Sequence, residues 1–395
     1  MSGLSIAVVG AGIGGLTTAL ALARQGHAIT LVERRTGFSE VGAGLQLSPN
    51  ASRILIKLGL GAALRRVATE PERVVVRSIA SGRELGQIAL TPFLQTRFEA
   101  PYWVVHRADL QTILLDAVRS EPSIRLVMGR RVDEIRDGQD KASLTWVSES
   151  GARDTLSADA IIGADGVWSK VRRALKDDLV PTFRGYIAWR ATFERSAAPA
   201  GLSGNETGLW LGPQGHVVHY PIAGGRLVNV VAIENTTYPV EGWSAPGDAP
   251  SLLAHYMSAA PALRELLGQP KEWLRWSLFD HPVQRLARRR IALLGDAWHP
   301  VLPFLAQGAA LAIEDAATLA SLMKPEAAAI PQVLSAYEDK RIERARRVQR
   351  EGRRNGLFYH AGPLVSFARN QVMRHLGPEG MAKRYDWLYG YRAAD

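Results

Sequence analysis

"LSIAVVGAGIGGLTTALALARQGHAITLVERR" (residues 4–35) reads as a strand, a tight turn, a helix and a second strand. Ile6, Val8 and Val9 form a short apolar run, Leu16 to Ala23 carry helical spacing, and Gly26 stops the helix. Gly10, Gly12 and Gly15 match G-x-G-x-x-G. The first glycine allows the sharp turn, the second lets a pyrophosphate approach the backbone, and the third lets the helix pack tightly on the strand. Phosphate then sits at the helix N-terminus. Glu33, 18 residues past Gly15 at the end of the next strand, is placed to accept hydrogen bonds from a ribose 2′-hydroxyl. Loop, strand context and acid together specify a dinucleotide site, and the acid favours FAD or NAD over NADP.

The rest of the chain bounds what such a site can serve. With 395 residues, 47% of them hydrophobic, it can bury a large core in two or three connected domains. Cys is absent, which removes disulfides, thiolate nucleophiles and thiolate metal sites; redox chemistry then needs a bound cofactor, and no metal enters the reading. The apolar segment from Ile6 to Ala23 lacks a basic leader and is interrupted by four glycines, so it is a loop and helix and not a signal peptide. No apolar run is long enough to span a bilayer, and the protein is expected to be cytoplasmic. The net charge of +10 suits nucleic acid, an anionic membrane or anionic small molecules. Much of it lies in "RIERARRVQREGRR" (341–354), which is expected to be the solvated face of a helix. No nucleic-acid signature accompanies it, and neither nucleic acid nor membrane is expected as a partner.

Two further motifs stand on strand-to-helix turns. In "DAIIGADGVWSKVRRAL" (159–175) a buried strand leads to Asp165 and Gly166, and Ser169 is suited to cap the following helix. In "GDAWHPVLPFLAQGAALAIEDA" (295–316) Gly295 permits a close approach, Asp296 can bind a polyol, and Gln307 to Ala309 offer backbone N–H groups at a positive helix end. A flavin's ribityl chain and pyrimidine edge are the matching ligand groups.

Taken in order, "GAGIGG", "GADGVWSKVR" and this last stretch resemble the three fingerprints of the single-component FAD-dependent aromatic hydroxylases. The resemblance continues through "GAGLQLSPNA" (42–51), "HRADLQ" (106–111), "GYIAWRA" (185–191) and "DWLYGYR" (386–392), and is strongest to salicylate, 3-hydroxybenzoate and 6-hydroxynicotinate monooxygenases. It implies an α/β fold with a Rossmann-like, parallel-sheet FAD domain discontinuous in sequence (1–72, 98–178 and 278–345). A mostly antiparallel substrate domain (73–97 and 179–277) and a C-terminal helical segment (346–395) complete it. FAD would be held by Gly10, Gly12, Gly15, Glu33 and Arg34 at one end. Arg107, Asp165, Asp296, Gly308 and Ala309 would hold it further along, with the 300–308 loop against the isoalloxazine. Gln46, Arg190 and Pro303 would line the substrate pocket. Trp298 stands where relatives usually carry a small residue, and Gln46 where some place a histidine.

The implied reaction uses NADH or NADPH to reduce FAD. O₂ then gives a flavin C4a-hydroperoxide, whose distal oxygen passes to the ring of a small aromatic or N-heteroaromatic hydroxy acid, in a monomer or homodimer. A phenol becomes a far better nucleophile when deprotonated, so a base is needed, and histidine suits neutral pH. In "HVVHYP" His216 and Tyr220 are four apart and share a strand face, while His219 points the other way. Resembling enzymes carry a His and Tyr at this spacing in the ring pocket, which assigns His216 and Tyr220 to catalysis and leaves His219 and His106 structural, with His299 belonging to the flavin loop. "HVVHYPI" and "RLVNVVAIEN", joined by "AGG", signal a hairpin, and Pro246 to Pro250 a loop. A flavoprotein oxidase or halogenase on the same fold is the competing enzyme reading, although the W-x-W-x-I motif of halogenases is missing; a basic binding protein using the fold as a scaffold is the non-enzymatic one.

Overall fold

The computed structural model describes residues 3–38, 44–240, 242 and 245–393. Gly42 and Ala43, at the head of the 42–51 stretch, lie outside them. Five strands far apart in sequence build one parallel sheet in the order Ile291–Leu293, Ala160–Gly163, Ser5–Val9, Ala28–Val32 and Ile124–Val127. Parallel strands buried on both faces read as continuous apolar runs, and Ala160, Ile161 and Ile162 show no exposed surface at all. The helices Ile13–Ala23 and Gly308–Leu322 pack on each other beside this sheet. Glycine loop and flavin loop, almost 300 residues apart, thereby open onto the same sheet end, since Gly163 pairs with both Val9 and Leu293.

The second sheet has eight strands in the order Ala245–Gly247, Trp273–Asp280, Thr182–Glu194, Leu227–Asn235, Gly215–Ile222, Thr207–Gly212, Arg73–Ser78 and Glu84–Ala89. Every neighbouring pair is antiparallel except Thr207–Gly212 with Arg73–Ser78. The expected hairpin is present, Ile222 pairing with Leu227 across the 223–226 turn. One face carries Trp189, Trp210, Val217 and Val230, covered by the Ala249–His255 and Pro261–Leu267 helices. The other carries Ala188, Ile233, Val218 and Tyr220 and looks toward the flavin loop.

Two expectations are corrected, and one expected domain limit is crossed by a helix. Pro246 lies in a short edge strand, a position where its missing N–H costs no ladder bond, and Pro250 opens a helix capped by the Asp248 side chain, which accepts from Ser251 N; the stretch is not a loop. The boundary expected after residue 345 falls inside the continuous helix Ile330–Tyr359. The arginine-rich stretch of that helix is not simply a solvated face, because Arg341 and Arg344 are buried. Arg341 pairs with Glu314 (2.8 Å) and Asp315 (2.7 Å), and Arg344 with Glu314 (2.8 Å), all on the Gly308–Leu322 helix. Arg346, Arg350 and Arg354 do face solvent. Among the described residues no helix is long and apolar enough to cross a membrane.

Candidate active site

The glycine loop separates two kinds of glycine. A Cβ on Gly15 would lie 1.8 Å from the Gly10 carbonyl oxygen, and one on Gly10, whose φ is +100°, would lie 2.6 Å from the Ala164 carbonyl oxygen. These two are needed by the packing of helix and strands on the turn. A Cβ on Gly12 would meet nothing within 4 Å, so its open side is left for a ligand at the N-terminus of the Ile13–Ala23 helix. The Glu33 carboxylate accepts from Ala11 N (2.8 Å) and Arg35 N (2.9 Å), which fixes it beside the loop. Arg34 is exposed next to it.

Asp165 sits in the turn that packs against Gly10, and its carboxylate is engaged by Ser169 Oγ (2.5 Å) and Lys170 N (2.7 Å). Its side chain therefore holds the first turn of the Lys170–Ala174 helix, and what it can offer a dinucleotide is the position of that turn. Ser169 accepts from Arg172 N, the expected cap.

At the other loop, Asp296 is accessible to solvent although burial raises its carboxyl above the ordinary value, against the pull of His299 and Arg107. Arg107, at the start of the Arg107–Arg119 helix, is thus within electrostatic reach of Asp296, and Gly308 lies beside it, a Cβ there being 4.0 Å from Asp296 Oδ1, an ordinary contact. Ala309 follows in the first turn of the same helix.

The flavin loop is held from behind by buried polar groups. Asp315 accepts from Gly295 N (2.9 Å) and meets His299 Nε2 at 2.6 Å; burial pushes its carboxyl up, but His299 and Arg341 outweigh that and bring it to about 2. Asn50 bridges Gln307 (3.0 Å) and Glu314 (2.6 Å), and Ser48 accepts from Gln307 (2.9 Å). Trp298 is fully buried, donates to the Gln284 carbonyl (2.8 Å) and packs on Tyr337. Pro303 opens the exposed edge of the loop, whose Phe304 turns inward.

Phe304 meets the face of the antiparallel sheet that carries His216, the two rings 5.1 Å apart. Register places Ala188, Ile233 and His216 in one row across three strands, and Arg190, Val231 and Val218 in the next. Arg190 is thus on the His216 face, with its guanidinium 4.8 Å from the Trp276 ring centre.

A model for an FAD binding domain matches residues 4–352. Over 99% of this chain and 97% of the relative, the sequence is 32% identical to a 3-hydroxybenzoate 6-hydroxylase of Polaromonas naphthalenivorans (strain CJ2). It is 35% identical to the 3-amino-4-hydroxybenzoate 2-monooxygenase PtnB3 of Streptomyces platensis, over 98% of this chain and 96% of the relative. The structure of a salicylate hydroxylase substrate complex superposes with a TM-score of 0.84 at 26% identity, covering 99% and 96% of the two chains.

The chain belongs to the FAD-dependent aromatic hydroxylases. FAD is the cofactor of this hydroxylase; Gly12 and Glu33 stand at the glycine loop, and Asp296 and Gly308 at the flavin loop with Arg107 in electrostatic reach of Asp296. On the substrate side, His216 and Tyr220 do share a face, as their spacing requires, but four residues of extended strand separate their Cα atoms by about 13 Å, with Val218 between. Tyr220 ends near Gln46, whose Oε1 accepts from the Tyr102 hydroxyl; burial raises both phenols and outweighs the side-chain hydrogen bond with Gln46 that lowers Tyr220, so they stay protonated. His216 ends among Phe304, Tyr359 and His360, its Nδ1 2.8 Å from His360 Nε2. Burial, then the neighbouring His360, holds its imidazole well below the usual range, hence neutral. His219 points to the opposite side against Trp210, and His106 caps the Arg107–Arg119 helix by accepting from Ala108 N. The motifs did not announce His360 or Tyr359, and Phe304 and Asn50 lay within quoted stretches without being singled out. Beside its neighbour Ser48, the partners of Asn50 are Gln307 and Glu314, more than 250 residues away.

Proposed function

We propose that this enzyme hydroxylates the ring of a small aromatic or N-heteroaromatic hydroxy acid, with NADH or NADPH and O₂ as co-substrates. The observation that carries this reading is a neutral, buried histidine, His216, set on the sheet face that meets the flavin loop through Phe304. Bound FAD supplies the electrophilic oxygen; the residues of the chain prepare the ring to receive it.

His216 takes the phenolic proton as general base, for which a neutral imidazole is ready at physiological pH. Arg190, one row along the same face, is matched in charge and shape to a carboxylate. Tyr220, Gln46 and Tyr102 form the polar far end of the pocket. The loop from Pro300 to Gly308 closes the opposite wall and keeps water from the reacting centre. At the cofactor, Glu33 addresses the adenosine ribose, Gly12 and the helix N-terminus the pyrophosphate, and Asp296 the ribityl chain; Asp165 acts through the turn that it holds.

A panel of hydroxybenzoates and hydroxynicotinates tests the reading, by stimulated NAD(P)H oxidation with product identification. One ring class should give hydroxylated product close to the NAD(P)H consumed. Hydrogen peroxide alone from every member would overturn it in favour of an oxidase.

A further inference from the structure

His216 is only 3% exposed, so a proton placed on it has no direct way to bulk water. Its Nδ1 lies 2.8 Å from Nε2 of His360, the residue just after the Ile330–Tyr359 helix, and the two rings are tilted by only 31°. The second nitrogen of His360, Nδ1, is buried with no hydrogen-bond partner among the described residues. Both chain neighbours of His360, Tyr359 and Ala361, line a cavity of about 380 Å³, as do Gly215 beside His216 and Ser366, Arg369 and Asn370 of the following helix. Neither imidazole lines this cavity itself, but His360 is partly exposed and both its chain neighbours do, so the pair leads from buried His216 on the flavin-loop side of the sheet toward the cavity.

We propose that His216 and His360 form a two-imidazole relay that carries the substrate's phenolic proton to this rear cavity. The proposal rests on the hydroxylase reading, with His216 as base. The aryl O–H bond breaks as His216 Nε2 takes the proton; the Nδ1 proton of His216 passes to His360 Nε2, and the Nδ1 proton of His360 leaves to water in the cavity. No electron moves. Reverse traffic, when the product oxygen is reprotonated, restores the starting tautomers. The other titratable groups facing the pair are Tyr359 from the long helix, Tyr186 from the Thr182–Glu194 strand and, at the helix end, Arg369, which donates to the Phe358 carbonyl. The two tyrosines have phenols raised by burial, so neither replaces an imidazole as carrier near neutrality.

The test compares His360→Gln and His360→Ala with wild type and His216→Ala, all as FAD-loaded enzyme, by rapid mixing across about pH 6 to 9. Gln keeps a hydrogen bond to His216 but cannot pass a proton. The relay requires both His360 variants to slow hydroxylation by about tenfold or more and to lose product per NAD(P)H consumed, while flavin reduction is unchanged. It also requires added imidazole to restore His360→Ala and not His360→Gln. A His360→Gln enzyme with wild-type rate and coupling overturns the relay, and it decides the matter even if His360→Ala does not fold. Should His216→Ala itself stay coupled, the base assignment fails; should His216→Ala uncouple while the His360 variants do not, the relay alone fails.

Discussion

Gly12 and Gly15 stand three residues apart in opposite surroundings, and alanine separates their roles. Gly15→Ala puts a Cβ 1.8 Å from the Gly10 carbonyl oxygen and should destabilise the apoprotein outright, whereas Gly12→Ala meets only open space. Gly12→Ala should therefore melt at the wild-type temperature without FAD and yet bind FAD more weakly; unchanged affinity in a flavin fluorescence titration would contradict the pyrophosphate assignment. Glu33→Ala removes a charged acceptor worth roughly 1.5–3 kcal/mol, but it also frees the amides of Ala11 and Arg35, so its loss of FAD combines ribose and loop. At the substrate, Tyr220→Phe removes one hydroxyl from the Gln46 and Tyr102 cluster and should cost less in coupling than His216→Ala. Because His216 is held well below its ordinary value, base function should persist below pH 6.5 and not fade there. A hydroxylation rate that falls with an apparent value near 6.5 would mean that the imidazole is solvated. That His216 and Tyr220 share a strand face was legible from period-two spacing; their place in a ring pocket came only from the resemblance. His360 was not legible: it lies 144 residues from its partner, and no local pattern encodes a meeting made only by the fold.

Among the elements, the flavin loop shows how a glycine- and proline-rich segment is made rigid. Its own residues supply the turns, but Asp315, Glu314, Arg341 and Asn50, from two helices and the 44–51 region, hold it in place. Trp298 fills the space behind it. Trp298→Ala should lower stability by about 3–5 kcal/mol, while the FAD-saturated enzyme still turns over, as denaturant unfolding and steady-state assays would show. A variant of equal stability that is chemically dead would assign the ring a direct role. Arg341→Ala should also cost about 3–5 kcal/mol, because it leaves Glu314 and Asp315 with less compensation in a dry interior. The strand-loop-helix at residues 5–23 and the 215–235 hairpin were legible because one strong local period governs each. The 341–354 stretch misled because its charge pattern is that of a solvated helix, and the acids that bury Arg341 and Arg344 stand on another helix. Pro246 and Pro250 misled because proline is as welcome at a sheet edge or a first helical turn as in a loop.

For the molecule as a whole, two sheets meet with the flavin loop between them, and five histidines, the buried His27, His216, His219 and His281 and the partly buried His360, are charged only at a cost. His219, His281 and His360 are each lowered to about 4 by burial, and His27 and His216 are also lowered. The unfolded chain then binds more protons than the folded one between pH 6.5 and about 4, so stability must rise with pH through this window and fall on acidification. Each histidine contributes at most about 1.4 kcal/mol per pH unit. Carboxyls raised by burial, such as Asp165 and Asp137, act with the opposite sign but from starting values of 3.8, so the histidines govern the upper part of the window. Thermal unfolding at about pH 5 and 7 should show the lower midpoint at pH 5; equal midpoints would mean that these imidazoles are not buried as described. The parallel sheet and its ligand end were readable from three ordered fingerprints. Which sheet face looks at the flavin depended on register, and register appears only once the strands are paired. The most direct test of the account as a whole is the ratio of hydroxylated product to NAD(P)H consumed, measured for wild type and His216→Ala with FAD bound and a substrate that wild type hydroxylates. The account predicts a ratio near one for wild type. For the variant it predicts hydroxylation slower by about 10²- to 10⁴-fold, with flavin still reduced and the electrons lost as hydrogen peroxide. A His216→Ala enzyme that hydroxylates at the wild-type rate and ratio would contradict it.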